Sequence, residues 1–171
     1  AGTVKLLSEH RDNLTDRSGS PMIVTAVSAR DRTRDRGFST EGITWYEDAR
    51  DLATDKNVDV VVEAIGGSDG IAYDVCKAAL ENGKHVVTAN KALIALHGVE
   101  LARIADANNV TIAYEAAVAG GIPVIKALRE GLAGNVISRV TGLLNGTCNY
   151  ILTTIREQGP DFAAVPAGGQ K

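Results

Sequence analysis

The run VDVVVEAIGG at residues 58–67, followed by GIAYDVCKAALENG at 70–83 and KHVVTANK at 84–91, decides the fold. The first run is short and apolar and ends in two glycines, which is typical of a buried strand followed by a tight turn. In the second run, apolar residues recur at helical spacing until Gly83, where the helix should end. The third run predicts another strand. Strand, helix and strand joined by short turns predict a parallel sheet with a right-handed crossover.

The same alternation continues on both sides of this unit. Downstream, ALHGVELARIADANN predicts a helix, and VTIAYEAAV at residues 110–118 predicts a third strand. Upstream, the patterns predict a helix at residues 1–10, a polar loop at 11–20, a strand at 21–29, a charged loop at 30–37 and a short polar helix near 47–56. We therefore expect an α/β fold with a Rossmann-like parallel sheet.

The pattern changes after residue 118. The segment AGGIPVIKALREGLAG places Pro123 where it suits the first turn of a helix, because the N–H that proline lacks would be unpaired there. Residues 136–147 then predict a strand, CNYILTTIREQ a helix, and residues 159–171 an irregular tail. We expect one domain at residues 1–118 and the start of a second at 119–171, with an α+β arrangement.

The composition limits the classes of partner. The chain has 171 residues, of which 44% are hydrophobic and only 4% aromatic, so its core is built from aliphatic side chains that suit strands buried on both faces. A net charge of −3 gives no general attraction to nucleic acid or to acidic membranes. No apolar stretch is long enough to cross a bilayer, and no signal pattern opens the chain. Cys76 and Cys148 lack metal-binding spacing, so we expect reduced, buried thiols in a cytoplasmic protein.

Ligands of doubly wound sheets bind beyond the carboxyl ends of the strands, and three such ends carry candidate residues. Arg30 follows the strand at 21–29, where its planar guanidinium suits the 2′-phosphate of NADP; the alternative is a solvated loop. Ile65 and Gly66 lie in a turn whose glycines let a ring or sugar approach, although an ordinary tight turn has the same sequence. Thr88 and Lys91 end the next strand, and Lys91 could instead be a surface lysine that begins a helix.

Two further candidates lie beyond these strands. Glu115, followed by small residues, suits a hard cation such as Na⁺, K⁺ or Mg²⁺ bound by oxygen atoms; the alternative is a carboxylate that caps a helix. Gly146 and Thr147 begin a helix whose N–H groups suit an anionic carboxylate, although Thr147 could simply cap that helix.

Five blocks of sequence, in order, resemble one known family. They are SARDRTRDRG, VVEAIGG, GKHVVTANKALIALHGVEL, YEAAVAGGIPVIKALREGL and GLLNGTCNYILT. Together they are similar to homoserine dehydrogenase of the bacterial type over roughly residues 1–160. That family interconverts L-homoserine and L-aspartate 4-semialdehyde with NADP or NAD, on the route to threonine, methionine and isoleucine.

The resemblance implies roles for particular residues. It implies that Arg30 meets the ribose phosphate of NADP, that Ile65 and Gly66 lie against the cofactor, and that Thr88 and Lys91 lie beside the nicotinamide. It also implies a site for a monovalent cation, Na⁺ or K⁺, and an edge of the homoserine pocket. The residues implied for the cation are Glu115, Val118, Gly120 and Ile122, and those implied for homoserine are Gly146 and Thr147. A homodimer is implied as well.

The sequence also departs from the family pattern. The family opens with a strand and a phosphate-binding glycine loop, whereas this sequence begins at AGTVKLL. The family's later substrate-binding acid and catalytic lysine have no match here, so we expect residues 1–171 alone to give no homoserine-dependent reduction of NADP. Two alternatives remain at this point. One is a non-catalytic, dimerising fragment, and the other is a different Rossmann reductase of the same pathway, which the NGTCNYILT block disfavours.

Overall fold

The computed structural model describes residues 1–142 and 146–158. They divide into two compact units, of which the first is Ala1–Lys126 and the second begins at Ala127. The first unit contains all five strands, which are β1 (Ala26–Ser28), β2 (Thr44–Tyr46), β3 (Val60–Glu63), β4 (His85–Thr88) and β5 (Ile112–Ala113). Its helices are α1 (Gly2–Glu9), α2 (Arg11–Ser18), α3 (Ile71–Glu81), α4 (Lys91–Ala107) and the short α5 (Val124–Lys126). The second contains a π-helical turn at Ala127–Gly131 and helix α6 (Gly146–Gln158).

All strand pairs are parallel, which confirms the predicted fold class. The strands form two sheets, one in the order β1-β2 and one in the order β3-β4-β5. Val61 pairs with Val86, and Val86 pairs with Ile112, so these three side chains lie on one face of the larger sheet. Within the described ranges β1 pairs only with β2 and β3 pairs only with β4, so one edge of each strand has unpaired backbone groups that favour association.

Helices α3 and α4 pack against each other, and α3 covers one face of the larger sheet. The core between them is aliphatic, as the composition predicted, and its largest buried hydrophobic side chains are Leu80, Leu93, Leu101, Val75 and Val86. The opposite face differs from the prediction. Val60 and Val62 are about half exposed, at 48% and 50%, because no element of the described chain covers that face. The aliphatic run in β3 is therefore buried on one face only.

The secondary structure predicted for residues 11–20 and 47–56 differs from that in the structure. Most of the loop predicted at residues 11–20 is helical, since helix α2 spans Arg11–Ser18. The hydroxyl groups of Thr15 and Ser18 donate to carbonyl oxygens four residues earlier, and Gly19 ends the helix in the left-handed conformation. Trp45 and Tyr46 belong to strand β2, and the helix that follows is a single 3-10 segment, Ala49–Ala53.

Three predicted strands are shorter or absent. The strand expected at 21–29 spans only Ala26–Ser28. The strand expected at 110–118 ends at Ala113, and Glu115 begins a turn of 3-10 helix. The strand expected at 136–147 does not form over residues 136–142, where Val136 is 99% exposed and has no neighbouring strand to bond. The rest of that strand, at residues 143–145, and the predicted tail at 159–171 lie outside the described residues. No helix of the part described is long and apolar enough to span a membrane.

The burial predicted for both cysteines is confirmed for Cys76 and wrong for Cys148. Cys76 is fully buried in helix α3, where burial, and to a lesser extent the negative charge of Glu63, raises the pKa of its thiol to about 12. Cys148 is exposed on helix α6. The helix begins at Gly146, and its second and third residues are therefore Thr147 and Cys148.

We expect a thiol-specific reagent such as Ellman's reagent to label Cys148 in the folded chain and to leave Cys76 unmodified until the chain unfolds. The thiolate is the reactive form, and burial both shields Cys76 and disfavours its thiolate. Thiol titration with and without denaturant measures this difference. The control is Cys148→Ser, which should remove the labelling of the folded chain. Rapid labelling of that variant would contradict the burial of Cys76.

Candidate functional site

The carboxyl ends of β3 and β4 lie side by side, and Glu63 pairs directly with Thr88 in the parallel ladder. The side chains of both residues are buried, on the face that α3 and α4 cover. The hydroxyl of Thr88 donates a hydrogen bond to one carboxylate oxygen of Glu63. The other carboxylate oxygen accepts from the backbone N–H of Ile65 at 2.6 Å and of Gly66 at 3.1 Å. A single carboxylate therefore joins the two strand ends to the turn that follows β3.

Asn90 extends this network to the start of helix α4. Its backbone N–H donates to the hydroxyl oxygen of Thr88 at 3.0 Å, and its side-chain amide donates to the carbonyl oxygen of Gly67. The side-chain oxygen of Asn90 accepts from the N–H of Leu93 at 3.1 Å, which caps the helix. Lys91 is the first residue of α4 and is exposed. The structure thus brings Ile65, Gly66, Thr88 and Lys91 to one place.

The turn after β3 leaves room for a ligand. Gly66 and Gly67 have φ values of +87° and +83°, in the left-handed region that other residues rarely adopt. A Cβ atom added at either glycine would have no other atom within 4 Å, so open space borders the backbone there. A flat ring or a sugar can approach this backbone closely, which fits the predicted nicotinamide side of a cofactor site. Glycine is favoured here by its backbone conformation and not by a lack of space.

The residues after this turn form a second polar cluster. Asp69 accepts a hydrogen bond from the hydroxyl of Ser68 at 2.6 Å and lies 2.9 Å from Nε2 of His97 on helix α4. These hydrogen bonds hold the pKa of Asp69 below its usual value. The ring of His97 packs against Tyr73, whose hydroxyl donates to Glu100 at 2.8 Å. The cluster fixes the loop between β3 and α3 against α4.

Arg30 lies apart from this network. It is exposed, two residues after the end of β1, and none of the described carboxylates comes within ion-pairing distance of its guanidinium. Two neighbours in the same loop are engaged instead, since the guanidinium groups of Arg32 and Arg36 lie 5.8 and 5.4 Å from the ring centre of Trp45. Arg30 therefore remains available for an anion.

The predicted cation residues lie next to β4, against which the turn Glu115–Ala117 packs. The two carboxylate oxygens of Glu115 accept hydrogen bonds from the N–H of Ile125 at 3.0 Å and of Lys126 at 2.9 Å. Glu115 thus has the capping contacts that the alternative predicted. The carbonyl oxygen of Ile122 accepts from Val124 at 2.8 Å. The remaining predicted ligands, Val118 and Gly120, lie on the same bend, which includes left-handed residues at 119 and 120.

In the described ranges, no three side chains of His, Cys, Asp or Glu meet as a metal site. A cation at Glu115 would consequently depend on backbone carbonyl oxygens. Gly146 and Thr147 are the first two residues of α6, so Thr147 lies inside the helix and does not precede it.

Sequence reasoning missed Glu63 and Asn90. The signal for Glu63 was an acidic residue in the aliphatic run VVVEAIGG, where a charge must find partners to be buried. The signal for Asn90 was an N-cap residue directly before a helix. A cavity of about 530 Å³ lies elsewhere, between α1 and residues 22–43, and none of the predicted site residues lines it.

We expect Glu115→Ala to lower the free energy of unfolding by about 1–2 kcal/mol, because two backbone N–H groups lose a charged acceptor. The free energy of unfolding of Glu115→Gln should lie between those of the unaltered chain and Glu115→Ala, because the amide oxygen can still accept a hydrogen bond and the NH₂ group cannot. Urea unfolding measures these differences. The control is Glu41→Ala, at an exposed side chain of the same charge. Equal stabilities of the Glu115 and Glu41 variants would contradict the capping role.

Comparison with known proteins gives one consistent result. Residues 1–115 match the family model described as the NAD binding domain of homoserine dehydrogenase, and residues 123–171 match the model described as homoserine dehydrogenase. The chain is 46% identical over 169 residues to homoserine dehydrogenase of Pseudomonas aeruginosa, covering 99% of this chain and 38% of that protein. It is 46% identical over 161 residues to the Corynebacterium glutamicum enzyme, covering 94% and 36%.

Solved structures agree with the sequence matches. The crystal structure of a homoserine dehydrogenase from Thiobacillus denitrificans superposes with a TM-score of 0.82 at 40% identity, over 99% of this chain and 39% of that one. A structure from Staphylococcus aureus gives a TM-score of 0.74 at 31% identity, over 99% and 40%. The chain spans less than two fifths of the length of the curated relatives described here.

Proposed function

This chain belongs to the homoserine dehydrogenase family, and we propose that it supplies the nicotinamide side of the cofactor site of such an enzyme. The family's members are NAD(P)-dependent oxidoreductases, and the alternative of a different reductase is not favoured by any of the matches described above. The proposed reaction interconverts L-homoserine and L-aspartate 4-semialdehyde, on the route to threonine, methionine and isoleucine. The observation that carries the proposal is the network of Glu63, Thr88 and Asn90, which holds an open glycine turn at two strand ends.

The proposed division of the chain has residues 1–118 as the nucleotide-binding domain and residues 119–171 as part of the catalytic and dimerisation domain. In the first domain, the backbone at Ile65 and Gly66 lies against the cofactor, and Lys91 offers an exposed positive charge beside the nicotinamide. When bound, the nicotinamide ring supplies the hydride chemistry. The chain's own contribution is to hold the turn rigid, because the N–H groups of Ile65 and Gly66 are fixed by Glu63.

For Thr88 we propose a role that differs from the predicted contact with the cofactor. Its side chain is fully buried and its hydroxyl is used by Glu63, so we propose that it positions the turn and does not touch the cofactor with its hydroxyl. Gly146 and Thr147 are proposed to border the homoserine pocket, since they begin helix α6, whose N–H groups favour a carboxylate. A monovalent cation at Glu115, Val118, Gly120 and Ile122 and a homodimer are also proposed, on the family resemblance.

The test of this function replaces the matching segment of the Pseudomonas aeruginosa relative with residues 1–171. We expect the hybrid enzyme to reduce NADP when L-homoserine is added, followed by the absorbance of NADPH. The control is the same hybrid without homoserine. A folded hybrid that binds NADP without oxidising homoserine would contradict the proposed substrate.

We expect Arg30→Asp in that hybrid to raise the KM for NADP about 10- to 100-fold and to change the KM for NAD much less. The substitution removes a charge-assisted contact with the ribose phosphate and adds a repelling carboxylate. Initial rates with each cofactor measure the ratio. Arg34→Asp, in the same exposed loop, is the matched control for net charge. Equal losses with NADP and NAD would reject the phosphate role of Arg30.

A further inference from the structure

The hydrogen-bond network below the turn at residues 64–67 is centred on the carboxylate of Glu63, although hydrogen bonding alone does not require a charged group there. Glu63 is only 2% exposed, and its carboxylate accepts three hydrogen bonds, from Ile65, Gly66 and Thr88. A neutral glutamine could satisfy much of the same geometry, since its amide oxygen accepts from the backbone and its NH₂ can donate to the hydroxyl of Thr88. Burying a carboxylate is costly, so its presence calls for a use of the charge itself.

The orientation of the turn limits what can bind above it. The N–H groups of Ile65 and Gly66 point towards Glu63 and are occupied, so they are not donors for a ligand. A phosphate at this turn would lack those donors and would be repelled by the carboxylate beneath. A positively charged ring would instead be stabilised. The turn therefore differs from glycine loops whose N–H groups face a phosphate.

Burial makes this charge effective. Interactions of exposed charges are screened by water and salt, whereas those of buried charges are screened much less. Lys91, the nearby positive residue of the chain, is exposed, so water weakens its effect on the same space. The pKa of the buried Cys76 thiol in helix α3 is raised mainly by burial and secondarily by the negative charge of Glu63.

We propose that the buried Glu63 carboxylate, fixed under the turn at residues 64–67, makes this site prefer the oxidised, positively charged nicotinamide ring over the reduced, neutral ring. The inference rests on the proposed function, which puts the nicotinamide at this turn. Glu63 is accordingly a positioning residue whose charge also discriminates between the redox states of the cofactor. A carboxylate there stabilises the positive ring that remains after a hydride is given to a substrate, and so favours reduction of the aldehyde.

The experiment measures the dissociation constants of NADP⁺ and NADPH for the full chain, residues 1–171, by titration followed with NMR, which detects weak binding. We expect Glu63→Gln to weaken NADP⁺ relative to NADPH by about 5- to 30-fold, because it removes one negative charge that acts at an effective dielectric constant of about 20. The matched control is Thr88→Val, which cuts the link to Asn90 and keeps the charge. It should change both dissociation constants by the same factor.

A second variant covers the case in which Glu63→Gln does not fold. Glu63→Asp keeps the charge on a shorter side chain. We therefore expect this variant to have the same preference for NADP⁺ over NADPH as the unaltered chain, even if it binds both more weakly. The measured quantity is the ratio of the dissociation constants of NADP⁺ and NADPH. While both cofactors still bind, the inference would be overturned if Glu63→Gln left this ratio unchanged. It would also be overturned if Glu63→Asp, which keeps the charge, changed the ratio as much as is expected for a neutral residue. Failure of the unaltered chain to bind either form would instead contradict the proposed cofactor site.

Discussion

The carboxylate of Glu63 joins elements that are distant in sequence and adjacent in space. One oxygen holds the turn after β3 through Ile65 and Gly66, and the other holds the end of β4 through Thr88. Thr88 in turn receives the N–H of Asn90, which caps helix α4 and ties it to Gly67. Removing the carboxylate would take the acceptor from two backbone N–H groups and from the Thr88 hydroxyl, and an unsatisfied buried donor such as that hydroxyl costs about 1–3 kcal/mol. The shape of the turn at residues 64–67 depends on this one side chain.

The hydrophobic core gives that network its rigid base. Val61, Val86 and Ile112 lie under helices α3 and α4, with Leu80 and Leu101 fully buried among them. The other face of the same sheet is exposed at Val60, Val62 and Val87. The edge of β1 that faces away from β2 and the edge of β3 that faces away from β4 pair with no strand of the described chain. Stability in the first unit therefore comes from one layer of helices on one face. Short segments bridge the two sheets, such as Thr25, whose hydroxyl donates to the carbonyl of Asn57.

The sequence predicted best where the pattern was local and repeated. Apolar residues at helical spacing predicted helices α3 and α4, and the structure has both. The candidate residues Ile65, Gly66 and Lys91 were predicted just after strand ends, and they lie there. The sequence predicted secondary structure poorly where the conformation of a segment depends on the groups that its backbone and side chains can bond. Residues 136–142 have strand-forming side chains but no described strand to bond, and residues 11–18 are polar but form a helix through their own backbone and hydroxyl groups. The buried roles of Glu63 and Thr88 depend on the register that sets them side by side.

The sequence by itself determined the α/β class, the parallel strands, the family and the positions of the candidate cofactor residues, because periodicity, glycines and ordered motifs are properties of the chain alone. The tertiary structure decided which face of β3 is buried, that Thr88 turns inwards, that Glu115 caps α5 and that Cys76 is shielded while Cys148 is exposed. These outcomes depend on distances between residues far apart in sequence. A hydrogen bond forms only when folding brings its donor and acceptor within about 3 Å.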